Sequence, residues 1–242
     1  MPPDDVQKEQ VEVVQYYGIE VPLDRRVISE GMALAIREGR YEKGEAKWLP
    51  KLVREGERIV EIGACTGLIT ALLATKTPAE LVVGVEPNPQ LIDLMAEVHR
   101  LNGARTVIRH AMVTPQAHDG PADFFLHEDV WSSSSLQVRA RSQAGKVQVP
   151  TISVAEIAET WRPSLLIIDL NPLMAWVQAE EPPHMLAGAD FRPFERVVVE
   201  LKPKLFPPPH VKRVFDHFSA QGFAYDPALS NGDLVLFGRI DD

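Results

Sequence analysis

The sequence predicts a doubly wound α/β protein: a mostly parallel sheet covered by helices on both faces, with an antiparallel pair at its end. Three observations carry this. Short runs of almost continuous apolar residues alternate with helical patterns, as expected for parallel strands buried on both faces. The first such run, "RIVEI", passes through a glycine loop, Gly63-Ala64-Cys65-Thr66-Gly67, into a helix. The second, "LVVGVE", ends on Glu86, 19 residues after Gly67.

Residues 1 to about 55 read as a helical segment packing on the core, because "EQVEVVQYY" and "RRVISEGMALAIREG" space apolar residues at three and four. Residues 56–242 read as one ligand-binding domain. In it "RIVEI" is a strand, "GLITALLATK" a helix, "LVVGVE" a strand and "PQLIDLMAEVHRLNG" a helix. Pro89 suits the first turn of that helix and Gly103 its C-terminal cap. "TVIRHAMV" is a third strand. "ADFFLHEDVW" and "GKVQVPTISVAEI" show partial alternation, which predicts an inserted hairpin or an extra edge strand at about 120–150. "SLLIIDL" and "RVVVEL" resume the buried-strand signature, and "HVKRVFDHFSAQG" is an amphipathic helix. "FAYD" and "DLVLFGRI", joined through "SNGD", form the terminal antiparallel pair.

Composition narrows the partners. The net charge of −9 over 242 residues opposes a nucleic-acid partner, which needs a basic face to displace counterions. It permits a neutral or cationic small ligand. The single cysteine excludes an intrachain disulfide, and none of the seven histidines has metal-ligand spacing. "MPPDDVQKEQ" is too acidic and polar for a signal peptide, and no apolar run is long enough to span a membrane. A soluble, cytoplasmic protein is the expectation, with no metal site assigned; the need for a divalent metal and the oligomeric state are open.

A strand, a glycine turn and a helix form the ligand corner of a doubly wound sheet. An acidic residue at the position of Glu86 accepts hydrogen bonds from ribose hydroxyls, so NAD and S-adenosylmethionine both fit. The dinucleotide fingerprint is G-x-G-x-x-G, and here its middle glycine is Cys65. Glu61, at the exit of the first strand, would repel a pyrophosphate and attract the ammonium of a methionine moiety. Charge therefore favours S-adenosylmethionine.

"VEIGACTGLITALLA" followed by "VVGVEPNPQLIDLMAEVHRLNG" resembles the FkbM family of S-adenosylmethionine-dependent methyltransferases. "VEPNP", the "LN" at Leu101–Asn102, "GRYEKGE" upstream, "SSSL", "VQVPTIS", "LLIIDL" and "RVVVEL" match in order and spacing, over roughly residues 35–240. The resemblance implies a Rossmann-like, seven-stranded methyltransferase fold with an antiparallel last strand, and methyl transfer to a hydroxyl of a small molecule such as a sugar or secondary metabolite. It places Glu61, Gly63, Ala64 and Gly67 in the cofactor loop and Glu86 on the ribose. Pro87 and Asn88 flank the adenosine, and Ala111 or Met112 contacts adenine. It also sets Tyr41 and Glu42 over the methionine end.

Methyl transfer needs an aligned nucleophile, exclusion of water and, for a hydroxyl, a base within reach. The carboxyl ends of the sheet strands select Asp169, Asn171 and Glu200 for these roles. The chain departs from the family here: the family's D-x-E-G-x-E is replaced by Asp169-Leu170-Asn171-Pro172-Leu173-Met174. That departure keeps two other readings in play, a methyltransferase-like binding module without turnover and an N-methyltransferase; an NAD oxidoreductase is a third, which the missing middle glycine opposes.

Overall fold

The computed structural model describes residues 11–127, 143–169, 188–201 and 208–240. The chain starts with an antiparallel hairpin, β1 (Val13–Tyr16) and β2 (Ile19–Pro22). This corrects the helix expected for "EQVEVVQYY". Tyr17 and Gly18, at φ +52° and +75°, form the two-residue turn between Tyr16 and Ile19, a geometry that ends any helix and matches the twist of paired strands. The β-branched Val11, Val13 and Val14 suit a strand, although the three-residue step from Val11 to Val14 also satisfies helical spacing. The hairpin is tied down by Tyr16, whose hydroxyl donates to the Tyr41 carbonyl, and by Asn102, whose side chain bonds both backbone groups of Glu20.

Helix α1 (Glu30–Arg37) is capped by Ser29, and α2 (Lys43–Leu52) follows. Next come β3 (Arg58–Ile62), α3 (Leu68–Lys76), β4 (Leu81–Glu86), α4 (Pro89–Leu101) and β5 (Val107–His110). The stretch expected as a single third strand breaks at Ala111. There the backbone leaves the main sheet: Ala111 N–H donates to the Glu86 carbonyl and Met112 N–H to that of Pro150. The separate β6 (Met112–Thr114) pairs in parallel with β9 (Thr151–Ser153). Between them lies the inserted hairpin, β7 (Ala122–His127) and β8 (Gln143–Val149), which is antiparallel as expected. Helix α5 (Val154–Trp161) starts on a reciprocal Ser153–Glu156 capping box. The chain ends with β10 (Leu165–Ile168), β11 (Arg196–Glu200), α6 (Pro208–Ala220), β12 (Phe223–Tyr225) and β13 (Leu234–Arg239).

The seven-stranded sheet has the order β5–β4–β3–β10–β11–β13–β12. Its first five strands run parallel, and β13 runs antiparallel to both its neighbours. This is the Rossmann-like, doubly wound fold with a reversed last strand that the sequence predicts. Both faces are apolar because alternate residues of each strand feed different cores: Ile59 of β3 packs with the N-terminal hairpin and α1–α4, Val60 and Ile62 with α5, α6, Phe191 and Phe194. Helix α3 is buried from Leu68 through Leu73, which accounts for its lack of a polar face. At the edge of the sheet away from the strand tips, Arg196 pairs with Glu57 and donates to the Leu52 carbonyl (2.9 Å), locking α2, β3 and β11 together.

The close approach of α4 to the glycine loop fixes the site. Gly67 sits at φ +77°, and a Cβ there would lie 2.7 Å from Met95 Cγ and 2.8 Å from His99 Nε2. A Cβ on Gly84 of β4 would strike Met95, Ala64 and Thr70. Gly67→Ala therefore combines a left-handed backbone with overpacking and is expected to destabilise by about 3 kcal/mol in urea unfolding. Gly103→Ala, at φ +60° with open space around it, should cost only about 1 kcal/mol. Equal losses would mean that packing does not constrain the loop.

Candidate active site

The strand tips of β3 and β4 build the first half of the site. Gly63 (φ +87°) and Ala64 both donate to the Val85 carbonyl, which folds the loop back onto β4. Cys65 stands where the fingerprint glycine is missing, and its φ of +47° is the left-handed conformation that glycine would have supplied. The strain of a side chain in this region is of order 1 kcal/mol. It is held by a bond from Cys65 N–H to Glu86 Oε2 (2.9 Å).

Glu86 is buried, and its other oxygen, Oε1, accepts the Asn88 N–H at 2.7 Å. Burial pushes its carboxyl up to about 7, with Asp169 adding to the rise; the two backbone bonds act in the opposite sense. Asn88 caps α4 through its Oδ1, which accepts the Gln90 N–H, and Pro89 takes the first helical position. Asn88 is 1% exposed, yet its Nδ2 has no protein partner. Pro87 presents its carbonyl to His110 Nε2 at 3.1 Å. Met112 packs into the small core of the inserted hairpin with Phe124, Leu126 and Val149.

The second half of the site surrounds a cavity of about 640 Å³ over the tips of β3, β10 and β11. Glu61, Asp169 and Glu200 line it. Asp169 and Glu200 each follow the last paired residues of adjacent strands, Ile168 and Val199, so the register sets them side by side. Glu61 is 5% exposed and its Oε2 has no hydrogen-bond partner. Burial, then the neighbouring Asp169, Glu45 and Glu86, push its carboxyl well above the usual range. Asn171 lies outside the described residues, as does the rest of the segment where the chain departs from the family pattern.

Two walls of the cavity come from elsewhere. Tyr41 and Glu42 close it from the start of α2; Glu42 is left-handed (φ +44°), and burial and then Glu61 push its carboxyl well up. Tyr41 is buried, with its hydroxyl 3.4 Å from Thr66 Oγ1. Asn231, Gly232 and Asp233, read from the sequence only as a hairpin turn, form the opposite wall. Nothing local in "SNGD" signals this; the β12–β13 connection reaches the cavity because β13 inserts next to β11.

Behind the loop, His99 is buried between Thr70 Oγ1 (2.7 Å) and Thr106 Oγ1 (2.6 Å). The Thr70 hydroxyl donates to the Gly67 carbonyl, so His99 Nε2–H donates to Thr70 and Nδ1 accepts from Thr106. This is the neutral imidazole.

No family model matches the chain, and no curated protein matches it. Similar solved structures include TYW2 of M. jannaschii in complex with AdoMet, at 15% identity and TM-score 0.49, over 96% of this chain and 88% of that one. A second is precorrin-6Y C5,15-methyltransferase of Geobacter metallireducens, at 11% identity and TM-score 0.49, over 94% and 97%. A third is ribosomal protein L11 methylase of Lactobacillus delbrueckii, at 7% identity and TM-score 0.44, over 82% and 77%. The fold assignment rests on strand order and direction, and these comparisons do not identify the FkbM family.

Burial lowers His99 to about 4 from 6.5. The unfolded chain therefore binds a proton between these values that the folded chain refuses. The contribution is intact above pH 6.5 and is lost as pH falls to 4, by up to about 3 kcal/mol. Denaturation at pH 7 and pH 4 should show the wild type losing more stability than His99→Gln over that interval. Parallel losses would place the acid sensitivity elsewhere.

Proposed function

We propose that this protein is an S-adenosylmethionine-dependent methyltransferase of the FkbM type that methylates a hydroxyl of a small molecule. The observation that carries the reading is the pair of buried carboxylates at neighbouring strand tips, Glu61 and Glu86, on either side of the glycine loop. Glu61 keeps an orphan oxygen, and Asn88 an orphan amide, beside them. Burying such groups without partners costs several kcal/mol, and a ligand with matching charges removes the cost.

An adenosyl sulfonium cofactor fits this donor set. Glu86 offers its carboxylate to the ribose hydroxyls, Asn88 and Pro87 border the adenosine, and Met112 backs the adenine from the hairpin core. Glu61 faces the methionine ammonium, with Gly63, Ala64 and Gly67 allowing the backbone to approach. The cofactor supplies an activated methyl group on its sulfonium. The chain's own task is to hold the acceptor in line, exclude water and take its proton. Asp169 receives the hydroxyl proton and Glu200 orients the acceptor; Asn171, outside the described residues, is a candidate from the sequence alone. A pyrophosphate would meet the Glu61 carboxylate, which disfavours NAD. The net charge of −9 and the carboxylate-lined cavity disfavour a nucleic-acid acceptor.

Calorimetric titration tests this. S-adenosylhomocysteine should bind and NAD should not. Glu86→Ala removes two charge-assisted hydrogen bonds to the ribose and should weaken binding by about 10- to 100-fold. Because ribose hydroxyls donate to the ionised form, affinity should rise with pH up to about 7, by at most about tenfold per unit, and then level off. Binding of NAD alone, or unchanged affinity in Glu86→Ala, refutes the assignment.

A further inference from the structure

His110 closes β5 at the strand tips that carry the ligand corner. It is paired in register with Glu86, the last residue of β4. Directly paired residues of parallel strands project from the same face of a sheet, so the imidazole stands beside the carboxylate assigned to the ribose. Two residues further along the chain comes Met112, assigned to the adenine. In an open α/β sheet the ligand lies beyond the carboxyl ends of the strands. By register and by sequence, His110 therefore stands between the ribose residue and the residue that backs the base.

Its hydrogen bonds decide its chemistry. Nε2 lies 3.1 Å from the Pro87 carbonyl oxygen. A carbonyl only accepts, so Nε2 carries the proton, and Nδ1 of the neutral ring is an acceptor. The ring is half-buried, and among the described residues Nδ1 has no partner. The turn that holds the ring is itself pinned: Asn88 N–H donates to Glu86 Oε1, and Asn88 Oδ1 accepts the Gln90 N–H. The next two backbone donors are already spent, Ala111 N–H on the Glu86 carbonyl and Met112 N–H on the Pro150 carbonyl. This stretch thus offers a base an acceptor rather than a donor. Adenine carries a matching donor, its N6 amine. Hypoxanthine carries a carbonyl oxygen at the same position, which would set lone pair against lone pair.

On the reading of this corner as an adenosyl site, we propose that His110 sets the base specificity of the cofactor, accepting the adenine N6 amine through Nδ1. Met112 supplies apolar contact, which every purine would share, and Glu86 reads the ribose, which is the same in every nucleoside. Discrimination between bases falls to the imidazole. A site built to hydrogen-bond one group rejects the analogue that lacks it, because its own polar atom is then left unpaired.

The test is calorimetric titration of the full chain with S-adenosylhomocysteine and with S-inosylhomocysteine, which has an oxygen in place of the N6 amine. The wild type should bind the adenosyl compound about tenfold more tightly or better. In His110→Ala the preference should shrink to about threefold or less. Arg109→Ala, a change at the exposed neighbouring position of β5, should leave it intact. An imidazole that merely held the Pro87 turn would behave differently: His110→Ala would weaken both compounds alike and keep their ratio. That result overturns the proposal, as does a wild type that binds both compounds equally. The purine analogue with hydrogen at position 6 gives a second readout on the wild type alone, whatever the variant does to folding. It should bind more weakly than the adenosyl compound, and equal binding overturns the proposal. Binding of S-adenosylhomocysteine without base preference sinks this inference alone, whereas failure to bind S-adenosylhomocysteine sinks the methyltransferase reading with it.

Discussion

The ligand corner depends on one buried carboxylate. Glu86 accepts the N–H of Cys65 from the glycine loop and the N–H of Asn88 from the start of α4. Through these bonds it joins the two segments that follow β3 and β4, the adjacent strands whose tips carry the site. Gly67 and Gly84 permit the approach sterically, and Met95 and His99 fill the space that their missing side chains leave. Without Glu86 the left-handed turn at Cys65 would have no partner holding it, and the cap of α4 would lose its link to the sheet.

The same corner is electrostatically expensive. Glu42, Glu61 and Glu86 are all pushed upward by burial, and Asp169 contributes to each shift. A fold seeking stability alone would replace such groups with apolar ones. Glu61 and Glu86 stand at strand tips and Glu42 at the head of α2, while the opposite edge carries the Arg196–Glu57 pair; this concentration of buried carboxylates is what the proposed cationic cofactor would offset.

Much of this was legible in the sequence. The parallel strands, the glycine loop, Glu86 and the inserted hairpin follow from apolar runs and turn residues, which are local signals. The failures have physical causes. The valines before Tyr17-Gly18 satisfy helical spacing, but the turn makes them a hairpin. The third strand bends at Ala111 because Glu86 of β4 and Pro150, between β8 and β9, capture successive backbone N–H groups, a competition that no local pattern encodes. Cys65 looked like an absent glycine and turns out to adopt the glycine conformation. Asp233 reaches the cavity from a distant part of the chain, and only β13 lying beside β11 brings it there, whereas the upstream Tyr41–Glu42 pair was readable from the family resemblance.

On the proposed reading, Glu86 and Glu61 are complementary to the two ends of an adenosyl sulfonium cofactor. A crystal structure of the complex with S-adenosylhomocysteine tests it most directly. Both ribose hydroxyls should lie within hydrogen-bond distance of the Glu86 carboxylate, and the methionine ammonium on Glu61. Adenosine bound away from β4, or a ligand carboxylate rather than an ammonium against Glu61, would contradict it.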